Sequence, residues 1–225
     1  MTRVAFDLEL ERLQQEVLTL GLKVKKALLD SVDSLKTQDL DAAGAIVAAD
    51  EAINKARFVI ENDILVLIAR HQPMATDLRL LAAFLEIATE LERIGDYAKG
   101  IAKITLKMSG KPLVKPLVDI PRMAENAGSM LDRALDSLVR RDADLARAVA
   151  ADDDEMDALY DQVFRELMTY IIADPRTIEG VSYLTWAAHN LERAADRVLN
   201  ICERVIFTVT GEMIEFDAKE FGQGE

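Results

Sequence analysis

At 225 residues, with 50% hydrophobic side chains, the chain is long enough to bury a substantial core, and disorder of the whole molecule is excluded. Aromatic residues make up only 5%, while Leu, Ala, Ile, Asp, Glu and Arg dominate, a composition of long helices rather than of sheets. With 27 Lys and Arg against 40 Asp and Glu, the formal charge of −13 repels a nucleic-acid backbone and suits cations and basic protein surfaces.

The first residues, Met1-Thr-Arg-Val-Ala-Phe-Asp-Leu-Glu9, reach acidic groups before any apolar run that would serve as a signal peptide. The single cysteine, Cys202, has no partner for an internal disulfide, so a cytoplasmic location is expected. Helical periodicity predicts six helices, over residues 5–36, 40–70, 76–108, 119–140, 143–173 and 178–209. Asp39 and Asp142 stand where N-caps are needed after short turns, and Thr76 or Asp77 is placed to start the third helix. Within the second helix, Ile64 to Ala69 is the longest tightly apolar stretch, far short of the roughly 18 residues that cross a bilayer. Membrane association is therefore expected to be peripheral. Between the third and fourth helices, Ser109-Gly-Lys-Pro-Leu-Val-Lys-Pro116 breaks the helical period and divides the chain into a first bundle, 1–110, and a second, 117–210. Residues 211–225 alternate acidic and apolar groups and are expected to form a loosely held acidic tail. The expected fold is all-α: two tandem, sequence-related three-helix bundles with antiparallel neighbours, related by a pseudo-twofold repeat.

The repeat is carried by two segments. Ala48-Ala-Asp-Glu-Ala-Ile-Asn54 recurs as Ala151-Asp-Asp-Asp-Glu-Met-Asp157, a displacement of 103, which pairs Asp50 with Asp153 and Asn54 with Asp157. Glu90-Leu-Glu-Arg-Ile-Gly-Asp96 recurs as Asn190-Leu-Glu-Arg-Ala-Ala-Asp196, a displacement of 100. The difference falls in the proline-containing turns around Pro73 and Pro175, where an insertion leaves both flanking helices intact.

On the sixth helix, a rotation of about 100° per residue sets His189, Glu192, Asp196, Asn200 and Glu203 in one ladder beside the apolar stripe of Leu191, Val198, Cys202 and Val205. The third helix repeats the ladder with Glu92 and Asp96, but Gly100 and Lys103 stand where the second half has Asn200 and Glu203. The neighbouring helices offer Asp153, Asp157 and Asp161 in the second half and Asp50 with Asn54 in the first. Carboxylates gathered in this way raise one another's pKa unless a cation intervenes, and an oxygen-rich set suits Mg²⁺, Mn²⁺ or iron better than zinc or copper. The competing reading of Glu-x-x-Arg-x-x-Asp is a solvated patch in which Arg93 or Arg193 pairs with an acid at i+3. Lys99 and Lys103 weigh against a metal in the first half. Asp152 and Asp154 are expected to be helix N-terminal charges without a metal role, and Cys202 a buried thiol.

Leu65-Val-Leu-Ile-Ala-Arg-His-Gln-Pro-Met-Ala-Thr-Asp-Leu-Arg79, followed by Glu90-Leu-Glu-Arg-Ile-Gly-Asp-Tyr-Ala98, resembles the first repeat of the PhoU family. Tyr160-Asp-Gln-Val-Phe-Arg-Glu-Leu-Met-Thr-Tyr170 and His189-Asn-Leu-Glu-Arg-Ala-Ala-Asp-Arg-Val-Leu-Asn-Ile201 resemble its second. The resemblance implies a non-enzymatic negative regulator of phosphate uptake and of the phosphate-starvation response. It also implies two partners, the ATPase subunit of a phosphate ABC transporter and a phosphate-sensing histidine kinase, and leaves room for a homodimer. Some members of the family bind clusters of iron or other divalent metals, and the matching positions here are Asp50, Glu92 and Asp96 in the first half and Asp153, Asp157, Glu192, Asp196 and Asn200 in the second. No organic cofactor is expected.

Two other functions compete with this one. A di-metal carboxylate bundle enzyme needs Glu-x-x-His on two helices, and no Glu stands three residues before His71 or His189. A purely structural scaffold would use the acidic stripes only for solubility. The chain lacks a basic or Gly-rich anion site, so phosphate sensing is expected to be indirect.

Overall fold

A computed structural model describes residues 3–216. The elements in order are α1 (Arg3–Thr37), α2 (Leu40–His71), α3 (Thr76–Met108), α4 (Asp119–Arg140), α5 (Ala143–Ala150), α6 (Asp153–Ala173), a 3₁₀ turn (Pro175–Thr177) and α7 (Ile178–Thr210). Both expected caps form. The Asp39 carboxylate accepts from the Ala42 amide at 2.9 Å, and that of Asp142 accepts from Asp144 and Leu145 at 3.0 and 2.9 Å.

The expected fifth helix is two. It stops after Ala150 and restarts at Asp153, leaving Ala151 and Asp152 as a turn. Three consecutive aspartates are unfavourable inside a helix but favourable at its positive N-terminal end, and Asp153, Asp154 and Glu155 make up the first turn of α6. Asp152, in the turn, forms an ion pair with Arg133 of α4.

Each half folds up, down and up, and α3 and α7, the third long helix of each half, lie antiparallel at the centre of the molecule. Their register is marked by Arg204–Glu86 at 3.1 Å near one end and Lys111–Glu179 at 2.7 Å just beyond the other. The core runs without a break through both halves, with Leu81, Phe84, Ile87, Leu91, Leu184, Leu191 and Val198 among its fully buried members. The first helices of the halves also meet. On α1, a Cβ at Gly21 would stand 2.4 Å from Leu135 Cδ1 of α4, so a larger residue there would require the Leu135 side chain to shift.

The α3–α7 contact repeats itself about the pseudo-twofold. Asn200 Nδ2 donates to Glu90 Oε2 at 3.1 Å, while at the related place Asn190 lies against Gly100, its amide nitrogen 3.3 Å from where a Cβ would stand. Glu90 also receives Arg93 at 3.1 Å and Arg197 at 3.5 Å, which accounts for an acid buried to 9% exposure. After α7, Gly211 takes a left-handed φ of 81° and turns the chain back. Ile214 and Phe216 pack on the core, and the Phe216 amide donates to Glu203 Oε1 at 2.8 Å. The rest of the expected tail, 217–225, lies outside the described residues.

Candidate functional site

The long apolar faces of α3 and α7 must be covered, and α2 and α6 cover them in their respective halves. The acidic positions bordering those apolar stripes are thereby pressed into two narrow seams, α2/α3 and α6/α7.

In the α6/α7 seam, Glu192 keeps its side chain only 12% exposed. Burial, then the charge of Asp196, then Asp157 and Asp153 raise its pKa to about 7, with Arg193 opposing. Asp196 is also raised, by burial against the opposing charges of Arg193, Arg197 and His189. Tyr160 is pushed up by burial and by Glu192. Of the four carboxylates predicted from the sequence, Asp153, Asp157 and Asp196 are thus all within electrostatic reach of Glu192. They line a face rather than converge: among the described residues no three His, Cys, Asp or Glu groups are gathered closely enough to share one ion.

One oxygen in this seam stands out. Glu192 Oε2 is buried and accepts no hydrogen bond, although His189 Nδ1 lies 3.2 Å away, a separation suited to an ion pair without hydrogen-bond alignment. A buried carboxylate oxygen in that condition is what a hard cation would satisfy, and the chemistry of these oxygen donors, though not their present spacing, suits Mg²⁺, Mn²⁺ or iron. Arg193 makes the i+3 contact with Asp196, at 3.6 Å, that the competing reading requires. That contact draws the Arg193 guanidinium toward Asp196, and its charge offsets only part of the rise at Glu192.

The α2/α3 seam is built from the matching positions and differs in charge. Lys99 of α3 reaches across to Asp50 Oδ2 at 2.6 Å and also lies 3.3 Å from Asp96 Oδ1. Asn54 Nδ2 donates to the same Asp50 oxygen at 3.2 Å. The pKa of Glu92 is raised by burial and by Asp96, but Arg57 opposes this. In the second half, Leu199 and Tyr160 occupy the places of Lys99 and Arg57. The first seam therefore does not fit a metal, because an ammonium already stands between its carboxylates.

Asn200 gives its amide nitrogen to Glu90 across the centre of the molecule. Glu203, an oxygen of the expected ladder, is buried and holds the returning chain at Phe216. Cys202 is fully buried, which pushes its thiol up to about 12. Sequence reasoning missed Glu90, because its repeat partner is Asn190. The available signal was a set of charged residues, Glu90, Arg197 and Arg204, lying within otherwise apolar contact faces.

The PhoU domain model matches the chain twice, over residues 17–105 and 120–205, one match per half. The phosphate-specific transport system accessory protein PhoU homolog of Clostridium acetobutylicum is 34% identical, over 96% of this chain and 100% of its own length. The PhoU accessory protein of Escherichia coli K12 is 34% identical over 92% of this chain and 86% of its own. Among solved structures, the phosphate transport system regulatory protein PhoU from Streptococcus pneumoniae superposes with a TM-score of 0.87 at 31% identity, covering 94% of this chain and 100% of that one. PhoU from Pseudomonas aeruginosa superposes with the same score at 35% identity, covering 92% and 100%. The doubled helical unit is thus the fold of a class of phosphate-transport regulatory proteins. The chain belongs to the PhoU family.

Proposed function

We propose that this protein is a non-enzymatic accessory regulator of a phosphate-specific transport system. It restrains phosphate uptake and represses the phosphate-starvation response when phosphate is plentiful. It does so from the cytoplasmic side of the membrane, as an adaptor between the transporter's ATPase subunit and a sensor histidine kinase. The observation that carries the reading is the family match in both halves together with relatives named as accessory proteins of that transport system. No helix among the described residues is long and apolar enough to cross a membrane, in keeping with attachment through partners.

Metal binding belongs to the α6/α7 seam in this reading. Asp153, Asp157, Glu192 and Asp196 would hold a hard divalent cation or an iron centre, which would neutralise the seam and fix α6 against α7. Asn200 is better read as a tie between the halves.

The test is genetic and biochemical together. Deleting the gene should derepress phosphate-starvation genes in high phosphate, and membrane pull-down of the tagged chain should recover the ATPase subunit and the kinase. Normal repression in the deletion strain would sink the proposal. Calorimetry of inorganic phosphate against the isolated chain should show no binding, since sensing is indirect.

A further inference from the structure

The two seams come from one repeat and carry different charges. Asp50 is 95% buried, and its Oδ2 accepts from both Lys99 and Asn54, at 2.6 and 3.2 Å. The same ammonium lies 3.3 Å from Asp96, so it bridges α2 and α3 at the place where the family resemblance calls for a metal. Arg57, paired with Glu61 at 2.6 Å, adds a second positive charge within electrostatic reach of Glu92. We infer that Lys99 is a built-in counter-cation: its ammonium serves the first seam in place of a divalent ion, and for that reason the first seam takes up no metal while Lys99 is present.

An ion placed between Asp50 and Asp96 would sit within a few ångströms of a like charge in a half-buried seam, or would have to expel the ammonium. Asp50 Oδ1 and Asn54 Oδ1 are buried without a hydrogen-bond partner, so oxygen donors for a cation remain in place beside the lysine. Removing the charge should then open a site. The substitution that the repeat itself suggests is Lys99→Leu, since Leu199 holds the related position in α7.

The inference shares with the proposed function only the metal chemistry of the family, and the experiment separates the two. The full chain is titrated with Mn²⁺, the free ion being read by electron paramagnetic resonance, in a Glu192→Gln/Asp196→Asn background that disables the second seam. With Lys99 intact, that background should show no stoichiometric site. Lys99→Leu should gain one, tightening Mn²⁺ binding by roughly ten- to hundredfold, and adding Asp50→Asn should abolish it. Lys99→Gln removes the charge while keeping a polar side chain, and carries the same expectation should Lys99→Leu fail to fold. A Mn²⁺ site in the background with Lys99 intact that Asp50→Asn removes would overturn the inference. So would folded Lys99→Leu or Lys99→Gln protein, checked by circular dichroism, that gains nothing. Failure of the second seam is seen separately, as wild type binding no more Mn²⁺ than the Glu192→Gln/Asp196→Asn variant.

Discussion

The α2/α3 and α6/α7 seams descend from one pattern and have met the same physical problem in different ways. Packing an amphipathic helix against the centre of a bundle half-buries the acids at the edge of its apolar stripe, and half-buried acids repel one another. In the first seam the chain supplies its own cations, Lys99 and Arg57. In the second those positions are Leu199 and Tyr160, and the conflict appears as a carboxyl at Glu192 raised to about 7. A repeated motif therefore identifies a repeated backbone position, whereas the neighbours one turn away decide its chemistry.

The largest effect should come from breaking the compensated seam. Asp50→Ala leaves the Lys99 ammonium without its closest acid in a half-buried place and should cost about 2–3 kcal/mol by urea unfolding.

Next comes pH. The folded pKa of Glu192, about 7, lies above its ordinary value of 4.5, so the folded chain binds the proton more tightly than the unfolded one. Stability from this group is present at pH 4, is lost as pH rises from 4.5 to 7, and stays lost above. Glu192→Gln should abolish this slope and stabilise the metal-free chain at pH 8 by about 2 kcal/mol, raising its Tm by roughly 4–8 °C. A Gln variant with an unchanged slope between pH 5 and 8 would place the titrating group elsewhere.

A third measurement compares the two pseudo-symmetric polar contacts at the centre. Glu90→Ala strips Asn200 and Arg197 of their acceptor and should cost about 1–2 kcal/mol, whereas Asn190→Ala should cost a few tenths. The smallest effect is expected at Gly100. Gly100→Ala gains helix propensity and pushes on the end of the Asn190 side chain, for a net stabilisation of about 0.5 kcal/mol.

Most of the helical frame was legible because period and punctuation agree: Asp39 and Asp142 cap, Pro73 and Pro175 turn, and Ser109 to Pro116 links. The break at Ala151 and Asp152 was half legible. The aspartate run reads as an N-terminal charge cluster, but the apolar period on either side of it, through Ala146, Val149, Met156 and Leu159, continues as though one helix ran through. Membership of the two seams was also readable from 3.6-residue periodicity. What one helix cannot reveal is which group on another helix answers it. Lys99 reads as a charge beside Asp96 until α2 brings Asp50 to it. Asn200 reads as a rung of the acidic ladder until α3 presents Glu90.

The reciprocal contact of α3 and α7 also bears on how such a chain could arise. Glu90 meets Asn200 and Asn190 meets Gly100, so each partner offers the other the same patch. A surface that pairs with its own likeness needs no second gene: a single three-helix unit carrying it would close on an identical copy about a true twofold. Duplication and fusion of that unit would preserve the contact and free the two copies to diverge. The substitutions at Lys99/Leu199, Arg57/Tyr160 and Glu90/Asn190 are what that freedom would leave behind, and a strictly symmetric ancestor could not have held one seam loaded with lysine and the other open.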